Sequence, residues 1–286
     1  MDTLLFSLPV FERPDILRGQ IDNIHHFCPS AIICVAIAAD VAGGRDAYLR
    51  VCDVENVTVN PEPYVWNPSG EILHAHVSNF LHVLERGLPF DKIVLTSSDE
   101  MLVKHGLEEF VSRHTLGAQT EVFDLANDWS VFKPELLNAP AMQNFLSALG
   151  LPLFFGGQAE GAFFEKRIFS QLTQLFVAHF PMTPTGFPTE QIIPATVAAR
   201  HFFAEANVAL PVTLSTASTH LALSQDVIQQ IVGGRGSIFA KRIPGALRSP
   251  HIGASVLKRV FSVKHIPRED CDLRRYIQSL MMREPA

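Results

Sequence analysis

Charge is scarce in this sequence, cysteine is nearly absent, and long apolar runs are missing. Charged residues fill 18% of the 286 positions and apolar residues 47%. That balance excludes a disordered chain, which needs the reverse. Lys and Arg number 23 against 29 Asp and Glu, a formal charge of -6. The basic footprint of a nucleic-acid-wrapping protein is therefore lacking, and no nucleic-acid partner is expected. No stretch of about 18 uncharged apolar residues occurs, so no transmembrane segment is expected. Met1-Asp2-Thr3 lacks the basic start of a signal peptide. Cys28, Cys34, Cys52 and Cys271 show no CxxC or other metal spacing, and a reduced, cytoplasmic chain is the expectation.

Familiar motifs are absent as well. Gly43-Gly44, Gly156-Gly157 and Gly233-Gly234 belong to no GxGxxG or Walker pattern, and there is no GxSxG. Rossmann dehydrogenases, P-loop enzymes and α/β-hydrolases are thereby set aside. The 12 histidines include no HExxH. His25-His26 diverge by about 100° on a helix, and His74 and His82 stand about 12 Å apart along one, too far to share an ion. No metal site is expected.

What is present is a run of buried-strand and helix patterns. Thr3 to Val10 reads as a strand. Pro14 then suits a first helical position, and Ile16, Leu17, Ile21 and Ile24 continue the helix. Ser30 to Ala38 is a second apolar strand ending at Asp40, Asn56 to Val59 a third, and Lys92 to Thr96 a fourth ending at Asp99. A helix through Ile72, His76, Phe80, Val83 and Leu84 lies between the last two. Strands apolar on both sides, alternating with helices, predict an α/β sheet covered on both faces. Phe163 to Phe176 and Thr189 to Phe203 read as helices. Ser237 to Arg242 and Val260 to His265 read as short strands, and Asp270 to Met281 as a closing helix. One continuous domain is expected over residues 1–286.

Three places carry candidate chemistry. Ligands of such sheets collect beyond the carboxyl ends of strands, where Asp40 and Asp99 fall. Glu190 enters the first turn of a helix capped by Thr189, after the loop Pro184-Thr185-Gly186-Phe187-Pro188. There it either complements the helix dipole or serves as a general base at a cleft rim. Arg235, Lys241, Arg242, Arg248, Lys258, Arg259, Lys264 and Arg268 concentrate positive charge near the end. Several lie within apolar strand-like runs, where burial demands an anionic partner such as a diphosphate.

In order and spacing these segments resemble the core-2/I-branching β-1,6-N-acetylglucosaminyltransferase family, which includes peptide O-xylosyltransferases. The likeness runs through nearly the whole chain. It covers Leu5 to Val10, the strand ending at Asp40, and Val65-Trp66-Asn67 before the Glu71 to Glu85 helix. It continues through Phe90 to Asp99, Gly156 to Phe164, Phe187-Pro188-Thr189-Glu190 with Ala195-Thr196, and Phe261-Ser262-Val263-Lys264. Ser97-Ser98 replace the family's Gly-Gln, and the family's anchor helix and disulfides are missing, which suggests a bacterial-type relative.

The resemblance implies a GT-A-like nucleotide-sugar-binding fold, mostly parallel, with helices on both faces, its nucleotide-binding half over residues 1–130 and its acceptor- and diphosphate-binding half over 131–286. It implies an inverting, metal-independent glycosyltransferase acting in surface polysaccharide synthesis. Glu190 would be the catalytic base, and Arg242 and Lys264 would bind the donor diphosphate. Asp40 and Asp99 would serve the nucleotide, and Glu160 the acceptor. The donor would be a nucleotide-sugar, a UDP-sugar first, with no separate cofactor, and the acceptor a glycan or lipid-linked glycan. Two alternatives stand beside it. One is a metal-dependent transferase of the same fold using Asp53, Glu55 or Asp99; the other is a catalytically silent carbohydrate-binding or scaffold protein. An exposed patch among the 21 phenylalanines would allow peripheral membrane or partner contact.

Overall fold

All seven residues from Leu4 to Val10 are buried, which requires cover on both sides of that strand. The computed structural model describes residues 2–11, 13–67, 71–122, 138–186, 188–202, 204–205, 207–215, 223–235, 237–239 and 251–282. The first part of the chain runs β1 (Leu4–Val10), α1 (Pro14–Phe27), β2 (Ile32–Ile37), α2 (Arg45–Val51), β3 (Val57–Val59), α3 (Leu73–Glu85), β4 (Lys92–Leu95), β5 (Glu100–Leu102), α4 (Leu107–Ser112), β6 (Leu116–Gly117) and β7 (Glu121–Val122). It continues with α5 (Pro140–Leu149), β8 (Phe155–Gly156), β9 (Phe163–Glu165), α6 (Lys166–His179), α7 (Thr189–Phe202), β10 (Val208–Ala209) and β11 (Thr213–Leu214). The last described elements are α8 (Gln225–Gly233), β12 (Ser237–Phe239), β13 (His251–Gly253), α9 (Ala254–Leu257), β14 (Ser262–Lys264) and α10 (Asp272–Leu280). No described helix is long and apolar enough to cross a membrane.

The expected α/β class is what forms. Seven strands lie in the order β10-β6-β9-β4-β1-β2-β3. The block β4-β1-β2-β3 is parallel, whereas β9 runs antiparallel to both β4 and β6. Period-two alternation divides the core. Leu4, Phe6, Leu8 and Val10 join Ile33, Val35 and Ile37 under α1 on one face. Leu5, Ile32 and Cys34 meet α3 and α6 on the other.

Two expectations need correction. The helix read over Phe163 to Phe176 begins as strand β9 and turns helical only at Lys166. The reason is that Phe163 and Phe164 are both fully buried, one in each core, and only a strand sends neighbours to opposite faces. Thr189 is itself the first helical residue of α7, not a residue ahead of it.

A second, three-stranded sheet, β11-β14-β5, carries part of the site. β14 is antiparallel to β5, with Lys264 opposite Glu100, and parallel to β11, with Ser262 opposite Thr213. Gly161 stitches the two sheets together. Its N–H donates to the Leu95 carbonyl at 2.8 Å, and its carbonyl accepts from the Val212 N–H at 2.9 Å. With φ at +73° and any Cβ only 2.2 Å from Thr213 Oγ1, the position admits glycine alone. Gly161→Ala is expected to lower the unfolding free energy by about 3 kcal/mol, combining left-handed strain and overpacking. Urea denaturation measures it, and a loss below about 1 kcal/mol would show that the loop simply moves away from β11.

Candidate active site

Strands β1 and β4 are parallel neighbours, so their carboxyl ends open on one side of the sheet. An open cleft of about 790 Å³ lies there. Pro9 lies near the end of β1 and Phe11 just after it, Tyr64, Trp66, Asn67 and Ile72 lie between β3 and α3, and Ser97, Ser98 and Asp99 follow β4. Glu160 comes from the loop before β9, Glu190 and Gln191 from the start of α7, and Lys264, His265 and Arg268 from the end of β14 onward.

The aromatic wall is layered. Phe11 and Trp66 pack with ring centroids 4.7 Å apart, and the Arg268 guanidinium lies over Phe11 at 5.5 Å. The polar wall is paired. Lys264 Nζ forms an ion pair with Glu160. Burial works against the Lys264 ammonium, but Glu160, Asp99 and Glu100 together raise its pKa. Asp99 meets His265 Nδ1 at 3.1 Å and accepts the Ser97 hydroxyl at 2.8 Å. Burial pushes the Asp99 carboxyl up, yet His265, Lys264 and Ser97 outweigh it and hold its pKa at about 2. His265 itself sits at φ +68°, a left-handed conformation rare for a side-chain-bearing residue.

Glu190 differs from these paired groups. It is only 4% exposed, and its Oε2 has no hydrogen-bond partner. Burial raises its pKa well above the ordinary range, and the nearby charges of Glu160 and Glu71 push the same way. The backbone N–H groups of Glu190 and Ile72 oppose the shift without cancelling it. Pro194, inside α7, has no N–H to give the Glu190 carbonyl, which loosens the first helical turn around this residue.

Two buried carboxylates support the cleft from below. Glu100 accepts the hydroxyls of Thr213 and Ser262, the latter at 2.8 Å, and the Ser97 N–H at 3.3 Å. Glu71 Oε2 accepts the N–H groups of Thr185 at 2.6 Å and Gly186 at 2.9 Å, while Oε1 accepts Asn67 Nδ2 at 3.0 Å. Among the described residues, no group of three or more His, Cys, Asp or Glu side chains is placed to hold a metal ion.

Of the residues singled out in the sequence, Glu190, Glu160, Lys264 and Asp99 all line this cleft. Asp40 is exposed in the turn after β2 and does not line it. Asp53 and Glu55 are exposed ahead of β3, also away from it. Arg242 lies outside the described residues. Sequence reasoning passed over Glu71, Glu100 and His265, and it counted Arg268 only within a basic stretch. Glu100 left a signal, since an acid opening the strand-like run Glu100-Met101-Leu102-Val103 is unusual for a strand. Glu71 left none, because an acid before a helix ordinarily faces solvent.

No family model matches this chain, and no curated protein matches it. Among solved structures it is similar to a galactosyltransferase, LgtC, in complex with donor and acceptor sugar analogues. That likeness has a TM-score of 0.42 and 9% identity and covers 99% of this chain and 95% of that one. It is also similar to a mannosyltransferase from Pyrobaculum calidifontis in complex with GDP-Man and Mn2+, with a TM-score of 0.41 and 13% identity over 73% of this chain. Only 55% of that longer chain is spanned. Neither likeness assigns an activity to this protein.

Burial raises the pKa of Glu100 to about 7 from 4.5, although the donors from Thr213 and Ser262 oppose the rise. Folded Glu100 thus binds its proton more tightly than the unfolded chain does. Its contribution to stability is full below about pH 4.5 and is lost as the pH climbs through about 7. Glu100→Gln, neutral throughout, is expected to gain on the wild type by about 3 kcal/mol across that window. Urea unfolding at both ends measures the gain; parallel pH curves for the two proteins would contradict it.

Proposed function

We propose that the chain is a glycosyltransferase that moves a sugar from a nucleotide-sugar donor to a hydroxyl of a glycan acceptor, with inversion and without a metal ion. The observation that carries this reading is Glu190. Buried polar groups in proteins are almost always partnered, and Glu190 lines the cleft with one buried oxygen unpartnered, a cost that a ligand's hydroxyl reaching it would relieve. A raised pKa also brings a carboxylate nearer to the operating pH of a general base. A silent carbohydrate-binding protein would have no use for that cost.

In this mechanism the Glu190 carboxylate takes the proton of the acceptor hydroxyl. The acceptor oxygen attacks the anomeric carbon from the side opposite the diphosphate, and the C–O bond to the diphosphate breaks with its electron pair. Lys264 and Arg268, which line the same cleft, meet the charge that develops on the leaving group; fixed cations so aimed are worth about 3 kcal/mol each. Arg242 is proposed to share that task, as the resemblance to the core-2/I-branching family implies. Glu160 holds Lys264 until the donor arrives, then is released to accept hydroxyls of the acceptor sugar. Phe11 and Trp66 offer flat faces to the nucleotide base, a UDP-sugar being the first candidate, with Asp99 ordering the loop beneath. A role in surface polysaccharide synthesis, at a cytoplasmic location, completes the proposal.

Thermal shift against UDP, GDP, CMP, dTDP and ADP, in EDTA and in Mn2+, tests it. A rise with one nucleotide in EDTA, lost in Lys264→Ala, is expected. No shift with any nucleotide sinks the transferase reading, and transfer that vanishes in EDTA and returns with Mn2+ overturns the metal-free mechanism.

Glu190→Gln is expected to lower kcat about 1,000-fold while leaving the nucleotide shift intact. It should also be at least as stable as the wild type at pH 8, because the wild-type fold weakens as the pH rises through the raised pKa of Glu190. Full activity in the variant would remove Glu190 from the chemistry.

A further inference from the structure

A buried carboxylate anchors the turn that delivers Glu190. Glu71, 1% exposed, stands just ahead of α3. Its Oε2 gathers three donors from that turn: the Thr185 N–H at 2.6 Å, the Gly186 N–H at 2.9 Å and the Thr185 hydroxyl at 3.3 Å. Asn67 holds the opposite oxygen at 3.0 Å. A charge-assisted acceptor with this many donors fixes a loop more firmly than neutral contacts can. The next residue, Ile72, lines the cleft and turns its backbone N–H toward the Glu190 carboxylate.

We propose that Glu71 is the positioning residue for Glu190, pinning the Thr185–Gly186 turn so that α7 starts in register with the cleft and standing as a fixed negative charge beside the Glu190 carboxyl. This rests on the reading of Glu190 as the base. Glu71 touches no substrate in this account and acts only through its neighbour. The charged groups facing Glu190 are Glu71 from the approach to α3 and Glu160 from the loop before β9. Lys264 on β14 is bound to Glu160 and partly offsets that carboxylate, so the offset does not extend to Glu71.

Two conservative variants separate charge from reach. Glu71→Gln keeps an oxygen for the turn but removes the charge. Glu71→Asp keeps the charge but withdraws it by one methylene. The readouts are the pH midpoint of the Glu190 carboxyl, followed by carbon-13 NMR and identified by its loss in Glu190→Gln, and the pH profile of transfer. In Glu71→Gln the Glu190 midpoint should fall by about one pH unit, and the acid limb of kcat/KM should fall with it while the donor KM stays unchanged. In Glu71→Asp the midpoint should stay put while kcat drops about 30-fold as the base leaves register.

An unmoved midpoint in Glu71→Gln overturns the proposal, even where the melting temperature falls, because a purely structural role predicts only the latter. Wild-type kcat in Glu71→Asp overturns it equally, and that variant carries the test should Glu71→Gln fail to fold. A midpoint that moves in a protein with no transferase activity supports the pairing of Glu71 with Glu190 and sinks the transferase reading instead.

Discussion

Glu100 is the constraint on which the cleft depends. It is buried where three strands of the small sheet meet, and removing a carboxyl from water costs several kcal/mol unless hydrogen bonds replace the solvent. Thr213 from β11, Ser262 from β14 and the Ser97 backbone supply those bonds. Satisfying one acid therefore fixes the end of β4, where Asp99 stands, and the register of β14, where Lys264 stands opposite Glu100. Gln20 Nε2 on α1 secures the same turn from beneath, reaching the carbonyls of Ser97 at 2.6 Å and Glu100 at 2.9 Å.

Charge in the cleft is arranged by how completely each carboxyl is partnered. Asp99 has His265 and Ser97, and Glu160 has Lys264. Glu71 has a turn's worth of donors. Glu190 alone among these acids keeps a buried oxygen without a partner. Glu160 and Asp99 each stand against a basic side chain. Among the described residues Glu190 does not, and this difference separates a candidate base from acids that hold the scaffold. The histidines fall on the scaffold side too. His76 is fully buried against Ser7 Oγ at 2.8 Å, and burial pushes its pKa down to about 3, so it serves α3 packing as a neutral group.

The architecture was legible because its cause is local. Continuous apolar strands such as Leu4–Val10 and Ile32–Ile37 need cover on both faces, and the helix stripes between them supply it. Glu190 was legible for a related reason, since a Gly/Pro loop followed by an acid in a first helical turn is a local pattern. Phe163-Phe164 misled because adjacent aromatics fit either period until two separate cores claim one ring each. Asp40 and Asp99 looked equivalent as strand-end acids, yet only Asp99 lines the cleft, while Asp40 is exposed in the turn after β2.

The sequence by itself determined an α/β sheet covered on both faces, the positions of its main strands and helices, and three of the charged residues that line the cleft, Asp99, Glu190 and Lys264. These follow from side-chain periodicity and turn chemistry, which act over a few residues. Tertiary structure decided the pairings: Lys264 with Glu160 across 104 positions, Ser262 with Glu100 across 162, and Thr185 with Glu71 across 114. A buried carboxyl and an exposed one look the same in a sequence. Whether Glu71, Glu100 and Glu190 hold the scaffold or do chemistry depends on which donors the fold brings to each, and that is a property of distant segments brought together.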